Sequence, residues 1–113
     1  MARIKCVVLI PLARNDGAAV TSAEMRDILR QFLAEFGGYT VAGEVEGGWK
    51  SPSGEEYFDR NTQVWVAIER RQLSVLRELV TQIGRRLGQE AMYLEVSGGN
   101  VEIIRVSRRR SKK

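Results

Sequence analysis

No histidine occurs among the 113 residues of this chain. That absence removes Ser-His-Asp and Cys-His catalysis, imidazole-ligated zinc, and the side chain that most often moves protons near neutral pH. Any catalysis would fall to carboxylates, tyrosine, lysine, arginine or a metal held by oxygen. Cysteine is nearly absent too. Cys6 stands alone, so neither an internal disulfide nor a cysteine metal cluster can form, and a reducing, intracellular compartment is expected. Its place inside an apolar run is that of a small buried hydrophobe. The run itself, from Cys6 to Leu12, is too short to span a bilayer. Arg3 and Lys5 precede it, but Arg14, Asn15 and Asp16 follow where a secretory signal would carry small residues for cleavage. A cytoplasmic protein with no membrane association is expected.

Phosphate-binding fingerprints are missing as well. Gly43, Gly47, Gly48 and Gly54 lie close together, yet neither Gly-x-x-x-x-Gly-Lys-Ser/Thr nor Gly-x-Gly-x-x-Gly occurs. Glycines in a strand mark bulges and bends more often than phosphate cradles. No cofactor is expected on these grounds.

What is present begins with charge. Lys and Arg number 18 against 14 acidic residues, a net of +4. Arg105, Arg108, Arg109, Arg110, Lys112 and Lys113 supply six of those positive charges within the last nine residues, where no acid stands. The preceding 104 residues therefore carry 12 basic and 14 acidic side chains, a net of −2. Residues 1–106 are expected to form one domain and 107–113 a disordered basic tail.

Within the domain, residues 4–12 have the Val/Ile/Leu composition of a strand, and Asn15-Asp16-Gly17 signals a turn. Thr21 and Glu24 have capping-box spacing. Met25, Ile28, Leu29, Phe32, Leu33 and Phe36 then recur at helical spacing until Gly37 and Gly38 offer a left-handed cap. Strands are expected at 39–46 and 61–69, joined in a long hairpin whose turn is Ser51-Pro52-Ser53-Gly54. A second helix spans about 70–87, with Leu73, Leu76, Val80, Ile83 and Leu87 on one stripe and Gly88 as its stop. A second hairpin pairs 91–97 with 101–106 across Gly98-Gly99-Asn100. The order β-α-β-β-α-β-β predicts an α+β, ferredoxin-like split βαβ sandwich, an antiparallel sheet with two helices on one face.

Such a sheet has an open face, and the strand patterns make it apolar. If Cys6, Val8, Ile10, Val64, Val66 and Ile68 meet the helices, Val7, Leu9, Trp65 and Ala67 lie on the other side. An apolar strip there calls for cover, and a homodimer through this open face is the expectation, the alternative being that the long hairpin folds back over its own sheet.

Three functional readings follow. The first is a small non-enzymatic binding or regulatory protein, acting as a homodimer. Its 43–60 hairpin meets a protein or small-molecule partner through Trp49, Lys50, Tyr57 and Arg60, although ordinary cross-strand packing of Trp49 on Tyr57 is the simpler account of those aromatics. The second is nucleic-acid association through Arg108, Arg109, Arg110, Lys112 and Lys113, helped by Arg70, Arg71, Arg77, Arg85 and Arg86 of helix two. Against it, strand one lacks the exposed aromatics of an RNA-recognition sheet and no RNP1-like segment is present. The third is a metal-dependent phosphodiesterase or nuclease with Asp16 or Glu44 and Glu46 as ligands, Glu55, Glu56 and Asp59 lying nearby. Acids on an exposed hairpin are ordinarily a solvated face, so no metal site is expected.

The stretch Gly48-Trp49-Lys50-Ser51-Pro52-Ser53-Gly54-Glu55, followed by the valine-rich strand and then Leu87-Gly88-Gln89-Glu90-Ala91-Met92, resembles an uncharacterised bacterial family. Its members pair a Gly-x-Trp hairpin with a Phe-Gly-Gln-Glu-like turn after the second helix. The similarity covers roughly residues 36–97. Leu87 stands where that family has Phe, and the basic tail is not part of its pattern. The resemblance implies the same small α+β fold and carries no mechanism, because the family has no established activity.

Overall fold

A computed structural model describes residues 3–98 and 100–106, with 100–103 described by their backbone alone. The tail expected at 107–113 lies outside the described residues. Elements follow the chain as β1 (Ile4–Pro11), α1 (Ser22–Phe36), β2 (Thr40–Lys50), β3 (Glu56–Ile68), a 3₁₀ turn (Arg70–Gln72), α2 (Leu73–Arg86), β4 (Ala91–Val96) and β5 (Asn100–Arg105). The strands form one antiparallel sheet in the order β2-β3-β1-β4-β5. The molecule is an α+β structure with both helices on one side of that sheet.

Period-two alternation decides which side. Cys6, Val8 and Ile10 of β1, Val64, Val66 and Ile68 of β3, and Met92, Leu94 and Val96 of β4 are buried together against Ile28, Phe32 and Phe36 of α1 and Leu76, Leu79, Val80 and Ile83 of α2. Leu33, counted on the apolar stripe of helix one, is 51% exposed. It lies one residue past Phe32, about 100° around the helix, and that rotation carries it off the sheet.

Helix ends obey local chemistry. The Glu24 N–H donates to Thr21 Oγ1 at 3.1 Å, and Gly37 (φ +82) closes α1 by donating to the Leu33 carbonyl at 2.9 Å. The reciprocal half of the expected capping box is not made, because the Glu24 carboxylate is held by Arg14 and Arg86 instead. Ahead of the second helix the Gln72 N–H reaches the Glu69 carbonyl at 2.8 Å, the i→i+3 bond of a 3₁₀ turn, and Gln72 Oε1 accepts from the Glu69 N–H at 2.9 Å. It closes at Gly88 (φ +68), where Gln89 N–H reaches the Gly84 carbonyl at 2.8 Å and Gly88 N–H reaches that of Arg85 at 3.1 Å, a Schellman arrangement. No helix among the described residues is long and apolar enough to cross a membrane.

The β2–β3 hairpin differs most from expectation. Pairing continues without interruption from Glu44↔Thr62 to Lys50↔Glu56, so the strands run almost to the turn. β1 reaches only as far as the Pro11↔Asn61 pair. Beyond it, residues 46–60 stand out from the sheet as a two-stranded arm.

Candidate functional site

The pleat of the arm divides the four residues expected to act together. Trp49 stands opposite Tyr57 and stacks on it, with ring centroids 4.7 Å apart at 20°. Lys50 and Arg60 lie on the reverse side of the arm, where Lys50 pairs with Glu56 at 4.0 Å and Arg60 with Glu44 at 2.5 Å and Glu46 at 3.9 Å. Phe58, on that reverse side, is 80% exposed and rests its ring against Gly48. The Tyr57 hydroxyl donates to Glu55 Oε1 at 2.6 Å. That bond to a carboxylate holds the phenol protonated and raises its pKa above the usual 10.0.

A different set of residues builds a cleft. The β2 ladder slips between Val41 and Gly43, so Ala42 is an extra residue and Gly43 takes φ +116, a conformation suited to glycine. Without the bulge, strict alternation would set Val41 and Glu44 on opposite faces. With it, Val41 stands opposite Val64 and Glu44 opposite Thr62, both on the helix side. α1 packs over β3 rather than β2. An open cleft of about 440 Å³ therefore remains between the first half of α1 and the base of β2, within the size range of small-molecule sites. Leu12, Val20, Met25 and Leu29 give it an apolar side; Tyr39, Glu44, Thr62 and Arg26 supply aromatic and polar groups. Thr62 is only 8% exposed. Tyr39, Arg26 and Thr62 were not legible as a group, since they come from three parts of the chain. Gly43 was the one usable signal, a glycine inside a strand.

The end wall of the cleft is the 12–21 loop, and charges clamp it. Arg14 and Arg86 both bind the Glu24 carboxylate, whose side chain is 13% exposed. Arg14 Nη1 also donates to the Arg86 carbonyl at 2.8 Å, and Arg86 Nη1 to Asp27 Oδ2 at 2.7 Å. Asp27, then Glu24, raise the Arg86 pKa, keeping the guanidinium charged. Gln89 Nε2 donates to the Ala13 carbonyl at 3.3 Å. The role of the Leu87-Gly88-Gln89 turn is thus structural, since it ends α2 and ties that end to the loop beside the cleft.

On the open face, Val7 stands between Trp65 and Glu95 and Leu9 between Gln63 and Tyr93. Val7 is only 8% exposed. Lys5 places its ammonium 3.6 Å from the Trp65 ring centroid, and Trp65 Nε1 donates to Gln63 Oε1 at 2.7 Å. Ala67 is exposed beside them. Asp16 Oδ1 accepts from the Ala18 N–H at 2.9 Å, the local bond of a turn. No group of three His, Cys, Asp or Glu side chains comes together among the described residues. Of the helix-two arginines, Arg86 is held as described, and Arg70, Arg71, Arg77 and Arg85 are exposed. Arg108, Arg109, Arg110, Lys112 and Lys113 lie outside the described residues.

No family model matches this chain, and no curated protein sequence matches it. Two solved structures share its fold. One is a phage SAM lyase in complex with S-methyl-5'-thioadenosine, at a TM-score of 0.66 and 13% identity, covering 93% of this chain and 91% of that one. The other is a phage SAM lyase in its apo state, at a TM-score of 0.64 and 11% identity, covering 95% and 92%. At these identities the likeness is one of fold alone.

Proposed function

We propose that this chain is a small cytoplasmic binding protein of ferredoxin-like fold, with β5 added at the β4 edge, and that it takes a nucleoside-type ligand in the cleft between α1 and β2. The observation that carries this reading is the composition of the cleft. An apolar wall from Met25 and Leu29 and the Tyr39 ring suit a planar base, while the Glu44 carboxylate suits a pair of sugar hydroxyls. Thr62 and Arg26 add polar groups along the same wall. The fold neighbour bound to S-methyl-5'-thioadenosine supports the ligand class, being a protein of matching extent on which such a molecule sits. The cytoplasmic placement rests on the lone Cys6. The Gly-x-Trp hairpin family is offered as the wider group on the motif residues already named.

Titration of the purified chain with S-methyl-5'-thioadenosine in a calorimeter tests the proposal. Saturable binding is expected, and Glu44→Gln should weaken it about tenfold or more, the worth of charge-assisted hydrogen bonds at about 1.5–3 kcal/mol. Absence of heat up to the millimolar range would overturn it. A second reading, favoured by the whole-chain likeness to a lyase, is that the cleft turns a ligand over. Incubation with SAM followed by detection of S-methyl-5'-thioadenosine separates the two. Product formed in proportion to enzyme replaces the non-enzymatic reading, whereas binding without product upholds it.

A further inference from the structure

We propose that the open face of the sheet, with the arm that continues it, is the interface with a second copy of this chain, giving a homodimer packed sheet to sheet. The face is continuous. Lys5, Val7 and Leu9 of β1, Trp65 and Ala67 of β3 and Tyr93 of β4 share one side of the pleat, and the Trp49–Tyr57 stack lies on the same side farther out along the arm. Its aromatics are already held in place. Trp65 is fixed from one side by Lys5 and from the other by Gln63, and Trp49 by Tyr57. Side chains held in this way lose little further freedom on association.

Three considerations select a second copy as the occupant. The first is area. Strands about 4.8 Å apart, of six to eight residues in the body of the sheet at about 3.3 Å each, cover roughly 540 Å², to which the two-stranded arm adds about 150 Å². A footprint of roughly 700 Å² per partner is within the range that a stable protein pair buries. The second is charge. Lys5, Arg105 and Arg3, which donates to the Ala67 carbonyl, are matched by Asp59, Glu95 and Glu55, which accepts from Tyr57, so the face carries no net charge. Two copies do not repel, and no strongly charged partner is favoured over a copy. The third is the arm, an isolated two-stranded ribbon that has no helix and no β1 behind it. Such ribbons are marginal in water, and residues of a partner's sheet laid against the Trp49–Tyr57 side supply the missing layer. On the helix side the exposed apolar side chains come from four separate elements, Leu33 of α1, Val75 of α2, Val41 of β2 and Phe58 of β3 on the reverse of the arm.

Sedimentation velocity of the full chain across the micromolar range is the test. The wild type should sediment as a dimer, and Trp65→Glu, placing an acid at the centre of the face, should raise the dissociation constant at least about thirtyfold, as loss of a central aromatic anchor does. Val75→Glu, on the helix side, should leave the dimer intact. If Trp65→Glu does not fold, as judged by circular dichroism, Ala67→Arg at an exposed small residue of the same face takes its place with the same expectation. A wild-type monomer at tens of micromolar, an assembly larger than two, a dimer that survives the face substitution, or one broken by Val75→Glu would each overturn the proposal.

Discussion

Gly84 sits in the interior of α2, where alanine is ordinarily the better residue by about 0.8–1.0 kcal/mol. A methyl group at this position would lie 2.5 Å from Val106 Cγ2 and 2.8 Å from Met92 Cγ. Neither neighbour is free to retreat. Met92 is buried in the core, and Val106 is tethered by its N–H to the Glu90 carbonyl at 2.9 Å, immediately after β5 has paired with β4 through Arg105↔Ala91. Overpacking of this kind costs about 1–3 kcal/mol, which exceeds the gain in helix propensity. Gly84→Ala should therefore lose about 1 kcal/mol net, lowering Tm by about 4 °C for a domain of this size. Thermal unfolding followed by circular dichroism gives the number, and a double-mutant cycle gives the cause. In a Val106→Ala background the same substitution should cost less, a coupling of about 0.5–1 kcal/mol, the Met92 contact accounting for the cost that remains. A rise in Tm of about 4 °C for Gly84→Ala in the wild-type background would mean that α2 lifts off β4 at no cost. The close approach assigned to Gly84 would then be wrong.

Two further outcomes are expected. Thr21→Ala removes the oxygen that accepts the Glu24 N–H at the start of α1 and should cost about 1 kcal/mol, while Thr21→Ser should cost much less; urea unfolding compares the two. Glu55→Gln should lower the Tyr57 pKa toward its usual 10.0, because the charged acceptor that favours the protonated phenol is gone. A phenol whose folded pKa is raised keeps its stabilising bond below the usual value and loses it as pH climbs past the raised one. The bond is thus intact at neutral pH and breaks only in strong alkali. Phenolate absorbance against pH reads the change, and an unmoved titration would refute the assigned cause.

Much of the fold was legible because its causes are local. The helix one boundaries follow from Thr21 and Gly37, the end of helix two from Gly88, and the hairpin turn from Ser51-Pro52-Ser53-Gly54. Each is a matter of a few dihedrals and one or two hydrogen bonds within a turn. The buried face of each strand was legible for the same reason, since side chains alternate wherever a strand is regular. Length was not legible in the hairpin. Glu55, Glu56 and Asp59 are poor strand formers, yet Glu56 and Asp59 are held in the ladder by partners across it, Lys50 and Gly47.

The residues themselves determined an α+β chain with an apolar second sheet face and a charge surplus confined to its end. Tertiary structure alone decided where Glu44 and Glu24 work. A bulge of one residue at Ala42 turns Glu44 to the helix side, into a cleft whose walls are separated by up to 50 positions in the chain. Glu24, spaced for a capping box, bonds instead to Arg86, 62 residues away. The physical reason is the same in both cases. A side chain's partner is set by the register and approach of distant segments, and those are properties of the packed whole rather than of any window of sequence.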